Sequence, residues 1–442
     1  MRYLFGFLCV CALGVMPLAG CSEAEETGGS GGSGGSGGVG GAAGMGGAAG
    51  MGGAAGMGGA AGMGGAAGMG GAAGTGGAAS ECTLTCIASG TQDDINEVLT
   101  EPGCAAVLCQ NAEFELTAPV VFPGDGHEIY TEGSPTDDGR ARLTIASDSV
   151  VTAVDMADRS DVVLRNVIID GSRPMFGYQR GEALIRAGGN VSGQVIRDVK
   201  AFETRSWSIL HLFEGGDPRC TGAIVENNEL GPAGQPDGTW ADGISLACAN
   251  SIVRNNTIVD ATDGAIVIFA APGSIVEDNI IRANTRTLLG GINMVDYGVH
   301  EGSYTNTRVR RNVIDAAGAV IRIGMGMGWR VWVCFDPASS EDPTIYGALV
   351  TDNTLMGDHM QYGFAVDGVR DWTVTGNVDL ATHSGTPMVE CNGQVASPPA
   401  GFQFHSARAH GTFQPEFTEA FLELALWAID DPAPAAAQPA LP

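Results

Sequence analysis

The stretch "IVRNNTI" (residues 252–258) decides the fold, because the chain writes its pattern eight times. The other copies are "VVLRNVI" (162–168), "QVIRDVK" (194–200), "IVENNEL" (224–230), "IVEDNII" (275–281), "RVRRNVI" (308–314), "LVTDNTL" (349–355) and "TVTGNVD" (373–379). The second column is Val in all eight; the fifth is Asn in seven and Asp198 in the other. Successive copies start 32, 30, 28, 23, 33, 41 and 24 residues apart. A period that holds near one value while loops lengthen it describes a coil wound around a common core. The units are short, β-branched and alternating, which reads as strand rather than helix. Val163, Val195, Val225, Val253, Val276, Val309, Val350 and Val374 are therefore expected to stack inside. The fifth-column amides are expected to bond from rung to rung as an asparagine ladder.

A second strand accompanies each rung: "EALIRAG" (182–188), "WSILHLF" (207–213), "DGISLAC" (242–248), "DGAIVIF" (263–269), "GGINMVD" (290–296), "AVIRIG" (319–324) and "YGFAVDG" (362–368). Cys220 and Cys248 each precede a repeat heptapeptide by four residues, so they fall on adjacent rungs within bridging distance. Cys334 and Cys391 are then left as a pair. Cys82, Cys86, Cys104 and Cys109 cluster at the start of the domain, where two disulfides outweigh a metal site and the pairing stays open.

The chain ends point to export. Arg2, the apolar run "YLFGFLCVCALGVM" and "LAGC" (18–21) form a signal over residues 1–20. Leu-Ala-Gly-Cys resembles the lipobox of bacterial lipoproteins, which implies a lipidated Cys21 and anchorage at the cell envelope, at the outer membrane or cell surface. Residues 21–81 are a Gly/Ala-rich tether, with five copies of "GGAAGM" and a final "GGAAGT". As a flexible coil, its low-complexity part reaches roughly 40 Å. Residues 82–395 are assigned to one large domain, and 396–442 to a helix and a Pro/Ala tail. The formal charge of −28 argues against nucleic acid as a partner.

With these rungs in hand, the chain resembles the right-handed parallel β-helix proteins of the pectate lyase and polygalacturonase group. The resemblance implies an all-β solenoid. "GTQDDINEVL" (90–99) resembles the N-terminal cap helix of that group, and "PEFTEAFLELALWAI" (415–429) reads as an amphipathic C-terminal helix. It also implies polysaccharide laid along an outer sheet, with catalytic side chains on adjacent rungs. Against the polygalacturonase pattern, "ADGI" (241–244) and "TDGA" (262–265) are loose matches and "IRIG" (321–324) a faint one. Gly264 replaces the second Asp of the expected pair, no Gly-His-Gly exists, and Gly324 stands where a lysine is expected.

Carry-over is therefore limited to Asp242 and Asp263 as the catalytic carboxylates, with Arg322 as a weak third. Hydrolysis of a glycosidic bond needs one protonated carboxyl and one ionised carboxylate. Stacked at the same corner of neighbouring rungs, the two would stand about 5 Å apart. The competing reading is that Asp-Gly steps, such as Asp170–Gly171 and Asp367–Gly368, simply shape turns. Trp240, His211, Asp237 and Arg205 are candidate substrate contacts, with Trp207 and Glu214 nearby. The leading expectation is a glycoside hydrolase acting on an extracellular polysaccharide. A lyase for a uronic-acid polymer, using Lys200, Arg186 or Arg205, is the alternative enzyme. A non-catalytic glycan-binding or adhesion β-helix is the third class. No cofactor is required by the hydrolase reading. The acidic loop "DPASSED" (336–342) has oxygen ligands suited to calcium but no diagnostic spacing.

Overall fold

The computed structural model describes residues 85–424, apart from 102, 236–237, 297, 333–344, 388, 392–393 and 423. Cys21, Cys82, Asp237, the 336–342 loop and the Cys334–Cys391 pairing lie outside the described residues.

Each repeat folds as two short strands joined at one bent residue. In the 252–258 copy these are Ile252–Arg254 and Thr257–Val259. Asn255, at the bend, has φ 55°, and Asn227, Asp278, Arg311 and Asp352 repeat that left-handed conformation. At every one of these bends but Arg311 the side chain is a short polar Asn or Asp, which tolerates the conformation because it can hydrogen-bond locally. The next residue carries the ladder. Asn228 Nδ2 donates to Asn256 Oδ1 at 2.8 Å, and the chain of bonds runs on through Asn279, Asn312, Asn353 and Asn377 at 2.9 Å per step. Gln414 Oε1 ends it by accepting from the Asn377 backbone amide at 3.0 Å.

The first two copies sit one residue out of the expected register. Val195 pairs with Val163 and Ile224, while Ile196 pairs with Leu164 and Val225. The inner column is thus Leu164, Ile196, Val225, Val253, Val276, Val309, Val350 and Val374, all fully buried. Val163 and Val195 are half-buried flanking residues instead. Asn166 and Asp198 are the bends of their rungs, with φ 51° and 55°. Val167 and Val199 occupy the ladder position beyond them. Val199 joins only through its backbone, donating to Asn228 Oδ1 at 3.0 Å. Backbone conformation at the bend, not the identity of the Asn, fixes the register.

The strand pairs build a 22-stranded sheet, and the second strands build an 11-stranded sheet; pairing between successive rungs is parallel in both. In the latter, Ile185–Gly188, Ser208–Phe213, Asp242–Leu246, Gly264–Phe269, Leu288–Val295, Ile321–Met327 and Met360–Val366 follow one another. Their inward side chains, among them Leu210, Ile244, Ile266, Ile292, Met325 and Phe364, fill the core. The Gln92–Leu99 helix is held by a capping box between Thr91 and Asp94 and buries Ile95 and Leu99 in the same core. Cys220 and Cys248 are bonded across adjacent rungs, with Cα atoms 4.7 Å apart, and Cys86 is bonded to Cys109.

The expected helix at 415–429 is not formed over its described part. Thr418–Glu419 instead adds in parallel to the Phe402–Phe404 strand. Ala420, Leu422 and Leu424 are buried, and that two-residue period belongs to extended chain. The open edge of the last rung offers backbone partners that a helix would leave unpaired.

Candidate active site

Side chains facing away from the core on the 11-stranded sheet form continuous columns. One runs Asp155, Arg186, His211, Ser245, Val267, Asn293, Gly326, Ala365 and Gln403, each paired with the next. At its polar end Arg186 approaches Asp155 at 3.2 Å and lies over the Phe213 ring at 5.0 Å. Trp207, His211 and Phe213 follow one another along one strand, with ring centroids 4.7 and 5.8 Å apart. All three are half-buried. Glu182 lies 3.7 Å from His211 Nδ1, and that neighbour holds its carboxyl below the usual carboxylate range.

Asp242 and Asp263 are not stacked. Ile244 pairs with Ile266, so Asp242 stands level with Gly264, and Asp263 precedes that position by one residue. Val267 accordingly faces outward, while Ile266 and Ile268 take the inner positions. The "DGISLAC" and "DGAIVIF" segments differ by one residue before their strands, which alignment on Asp-Gly hid. Asp242 is nonetheless tied to the turn that carries Asp263: its Oδ1 accepts from the Gly264 amide at 2.8 Å. Its Oδ2 accepts from Ser245 Oγ at 2.7 Å, and Ser245 Oγ lies 2.9 Å from Ser208 Oγ. Asp242 is only 4% exposed, so it is not the open surface residue expected.

Asp263 differs from the turn-forming aspartates. Asp170 accepts from the Ser172 amide, Asp260 from the Asn284 and Thr285 amides, and Asp367 pairs with both ends of the Arg408 guanidinium. Asp263 Oδ1 is enclosed and accepts nothing among the described residues. Desolvation pushes its carboxyl up to about 7.

The other candidates divide. Trp240 lies against the outer face, 5% exposed, with Nε1 enclosed and unbonded. His211 stands beside Arg186 on the outer face, as its alternation implied. Arg322 follows Asp263 two rungs on, with fully buried Leu289 between them. Its Nε is unbonded, and burial lowers its basicity. Arg205 is corrected: its buried guanidinium donates to the carbonyls of Ser147, Asp148, Val150 and Gly177 and pins loops together. Lys200 lies in the other sheet, paired with Asp138, away from Arg186. Glu214 lies just beyond the Ser208–Phe213 strand. Among the described residues no group of three or more His, Cys, Asp or Glu is arranged to hold a metal ion.

Residues 218–379 match a family model described as the right handed beta helix region. Over those residues the chain is a right-handed β-helix, and the parallel rungs continue on both sides of them. No curated protein matches it. Among solved structures, the β-helix is similar to an alginate lyase from Paenibacillus sp. at 13% identity, covering 67% of this chain and 98% of that one, with TM-score 0.40. It is similar to a hyperthermoactive exopolygalacturonase from Thermotoga maritima at 12% identity, covering 66% and 91%, with TM-score 0.43. A third is PfbA, a surface adhesin of Streptococcus pneumoniae, at 10% identity, covering 70% and 89%, with TM-score 0.40.

One residue of the β-helix site escaped sequence reasoning. Asn293 lies next to Val267 in the outer column, 1% exposed, with neither amide atom bonded among the described residues. Its signal was an Asn inside the otherwise apolar run "GGINMV", behind two glycines.

Proposed function

We propose that this protein is a carbohydrate-active β-helix that hydrolyses glycosidic bonds of an extracellular polysaccharide. Asp263 acts as the general acid, and Asp242 is the ionised partner. One observation carries the reading: Asp263, whose Oδ1 is enclosed without a partner, precedes the Gly264 amide that donates to Asp242, and burial raises the Asp263 carboxyl to about 7. Hydrolysis of a glycosidic bond asks for that division of labour. The rings of Trp207, His211 and Phe213 offer stacking surfaces for sugar on the neighbouring rung. Incubation with a panel of neutral and uronic polysaccharides tests it. A rise in reducing ends without an unsaturated, ultraviolet-absorbing product, abolished by Asp263→Asn, is the expected result. An unsaturated product would mean β-elimination, and no product at all would mean a binder.

The lipobox-like "LAGC" supports a second element, anchorage at the bacterial envelope through Cys21, with residues 21–81 as tether. Cys21→Ala should move the protein from the membrane fraction to the soluble fraction.

A further inference from the structure

We propose that the site is a pocket closed on one side, which takes the free end of a neutral glycan chain and reads its hydroxyls through the Asn293 amide. This rests on the reading of Asp263 and Asp242 as the reacting pair.

The Asn293 side chain folds back over Gly290 of its own strand and Gly264 of the neighbouring rung. A Cβ on Gly290 would fall 2.2 Å from its Oδ1, and one on Gly264 3.0 Å from its Nδ2 and 3.2 Å from Asp242 Oδ1. Side chains at those two positions would displace the amide, so the glycines keep room for it beside the carboxylate. A buried amide without partners costs free energy unless a ligand or water satisfies it. Trp240 Nε1 and Asp263 Oδ1 are enclosed and unbonded in the same stretch of the outer face. The set contains donors and acceptors together. Sugar hydroxyls, which both donate and accept, complement an amide. A carboxylate ligand would satisfy Nδ2 and be repelled by Oδ1. Arg322, whose Nε is unbonded, is on the rung next to Asn293 but level with fully buried Leu289, four residues away along the strand, so it does not give this pocket an anionic preference.

Beyond Asn293 the outer face is covered. Val295, Ile323 and Tyr362 are buried with Leu422 and Leu424 in one cluster, which reaches back to Val267 and Trp240 as the wall of the site. Tyr362 donates to the Ser397 carbonyl at 2.8 Å, Phe421 to Ser397 Oγ at 2.9 Å, and Leu424 to the Arg330 carbonyl at 3.3 Å. These contacts sew residues 420–422 and 424 onto the sheet. On the other side Trp207, His211 and Phe213 keep part of their surface exposed. A chain at Asp263 can therefore extend over His211 but not past Asn293.

The test uses the full chain carrying Asp263→Asn, which keeps an Oδ1 acceptor and removes the acid. It is applied to an array of neutral and uronic oligosaccharides in linear, end-blocked and cyclic forms. Linear neutral chains should bind, with affinity that stops rising after a few units, and chains blocked at the inserted end and cyclic forms should not. Asn293→Ala should weaken binding about tenfold without lowering the melting temperature, since it removes a group that bonds nothing in the fold. Leu422→Asp with Leu424→Asp should admit the blocked chains. Equal binding of cyclic or doubly blocked chains, preference for uronic chains, no effect of Asn293→Ala, or no neutral glycan bound would each overturn the pocket. Binding without cleavage by the unmodified protein would instead sink the hydrolase reading alone. Cleavage in the interior of chains would leave that reading standing and overturn the pocket.

Discussion

The backbone amide of Gly264 donates to Asp242 Oδ1 at 2.8 Å, so the carboxylate of one rung is built into the turn that presents Asp263 on the next. The two aspartates are coupled through backbone, although they are out of register by one residue. A change at Asp242 should move Asp263; a change at Asp263 leaves Asp242 with the Gly264 and Ser245 donors.

Activity should fall as pH rises through about 7, because ionisation of Asp263 removes the acid. Stability should fall over a related window. The folded value lies above the ordinary carboxylate value, so the unfolded chain loses its proton first. Stability is fully present below about pH 4 and declines until pH passes about 7. Asp263→Asn should therefore match the parent at pH 4 and exceed it at pH 8.5 by on the order of 2–4 kcal/mol in urea unfolding. Equal midpoints at both pH values would show that the carboxyl is not desolvated.

The ladder makes a second prediction. Asn279 accepts from the backbone and side-chain amides of Asn256 and donates to Asn312 Oδ1 and to the Val253 carbonyl. Asn279→Ala should cost about 2–4 kcal/mol, since it leaves several buried groups unpaired. Asn377→Ala, at the last rung, should cost less. Denaturant unfolding of the two variants side by side measures the difference.

Repeat spacing made the coil, its two strand systems and the Cys220–Cys248 bond legible, and the family resemblance made the cap helix so. What failed was register, in two places for one reason. A motif aligns by residue type, whereas the fold aligns by backbone conformation. Asn166 resembles the ladder residues but is a bend, and Asp263 resembles Asp242 but precedes its strand position. The C-terminal segment was misread because Leu422 and Leu424 suit helix and strand alike; the free edge of the last rung decides. The burial of Asp242 and the unpaired amide of Asn293 arise between rungs, where a linear pattern carries no signal.

His383 should titrate as a pH-dependent clasp near the C-terminal rungs. Its Nε2 donates to Asp379 Oδ2 at 2.7 Å and its Nδ1 to the Gln361 carbonyl at 2.6 Å, so both nitrogens carry protons. Burial opposes the charged ring, but these two acceptors outweigh it and raise the pKa above the ordinary histidine value. Their contribution is fully present below about pH 6.5 and is lost as pH rises through the higher folded value. His383→Gln should lower the melting temperature at pH 6, and the gap should narrow as the pH rises through the folded value of His383.

Asp242 can be tested so that chemistry and scaffold separate. Asp242→Ala removes the acceptor of two buried donors, the Gly264 amide and the Ser245 hydroxyl, and should cost about 1–3 kcal/mol. Asp242→Asn keeps an oxygen for Gly264. Its new Nδ2 can donate to Ser245 Oγ, whose own proton then turns to Ser208 Oγ at 2.9 Å. Its stability should stay within about 1 kcal/mol of the parent. Both variants lose the negative charge, so both should lose activity on the order of 10²-fold or more if the carboxylate takes part in the reaction. If Asp242 only shapes the turn, activity should follow stability, and Asp242→Asn should keep it. Turnover rate and urea midpoint, measured on both variants, decide between a reacting group and a corner.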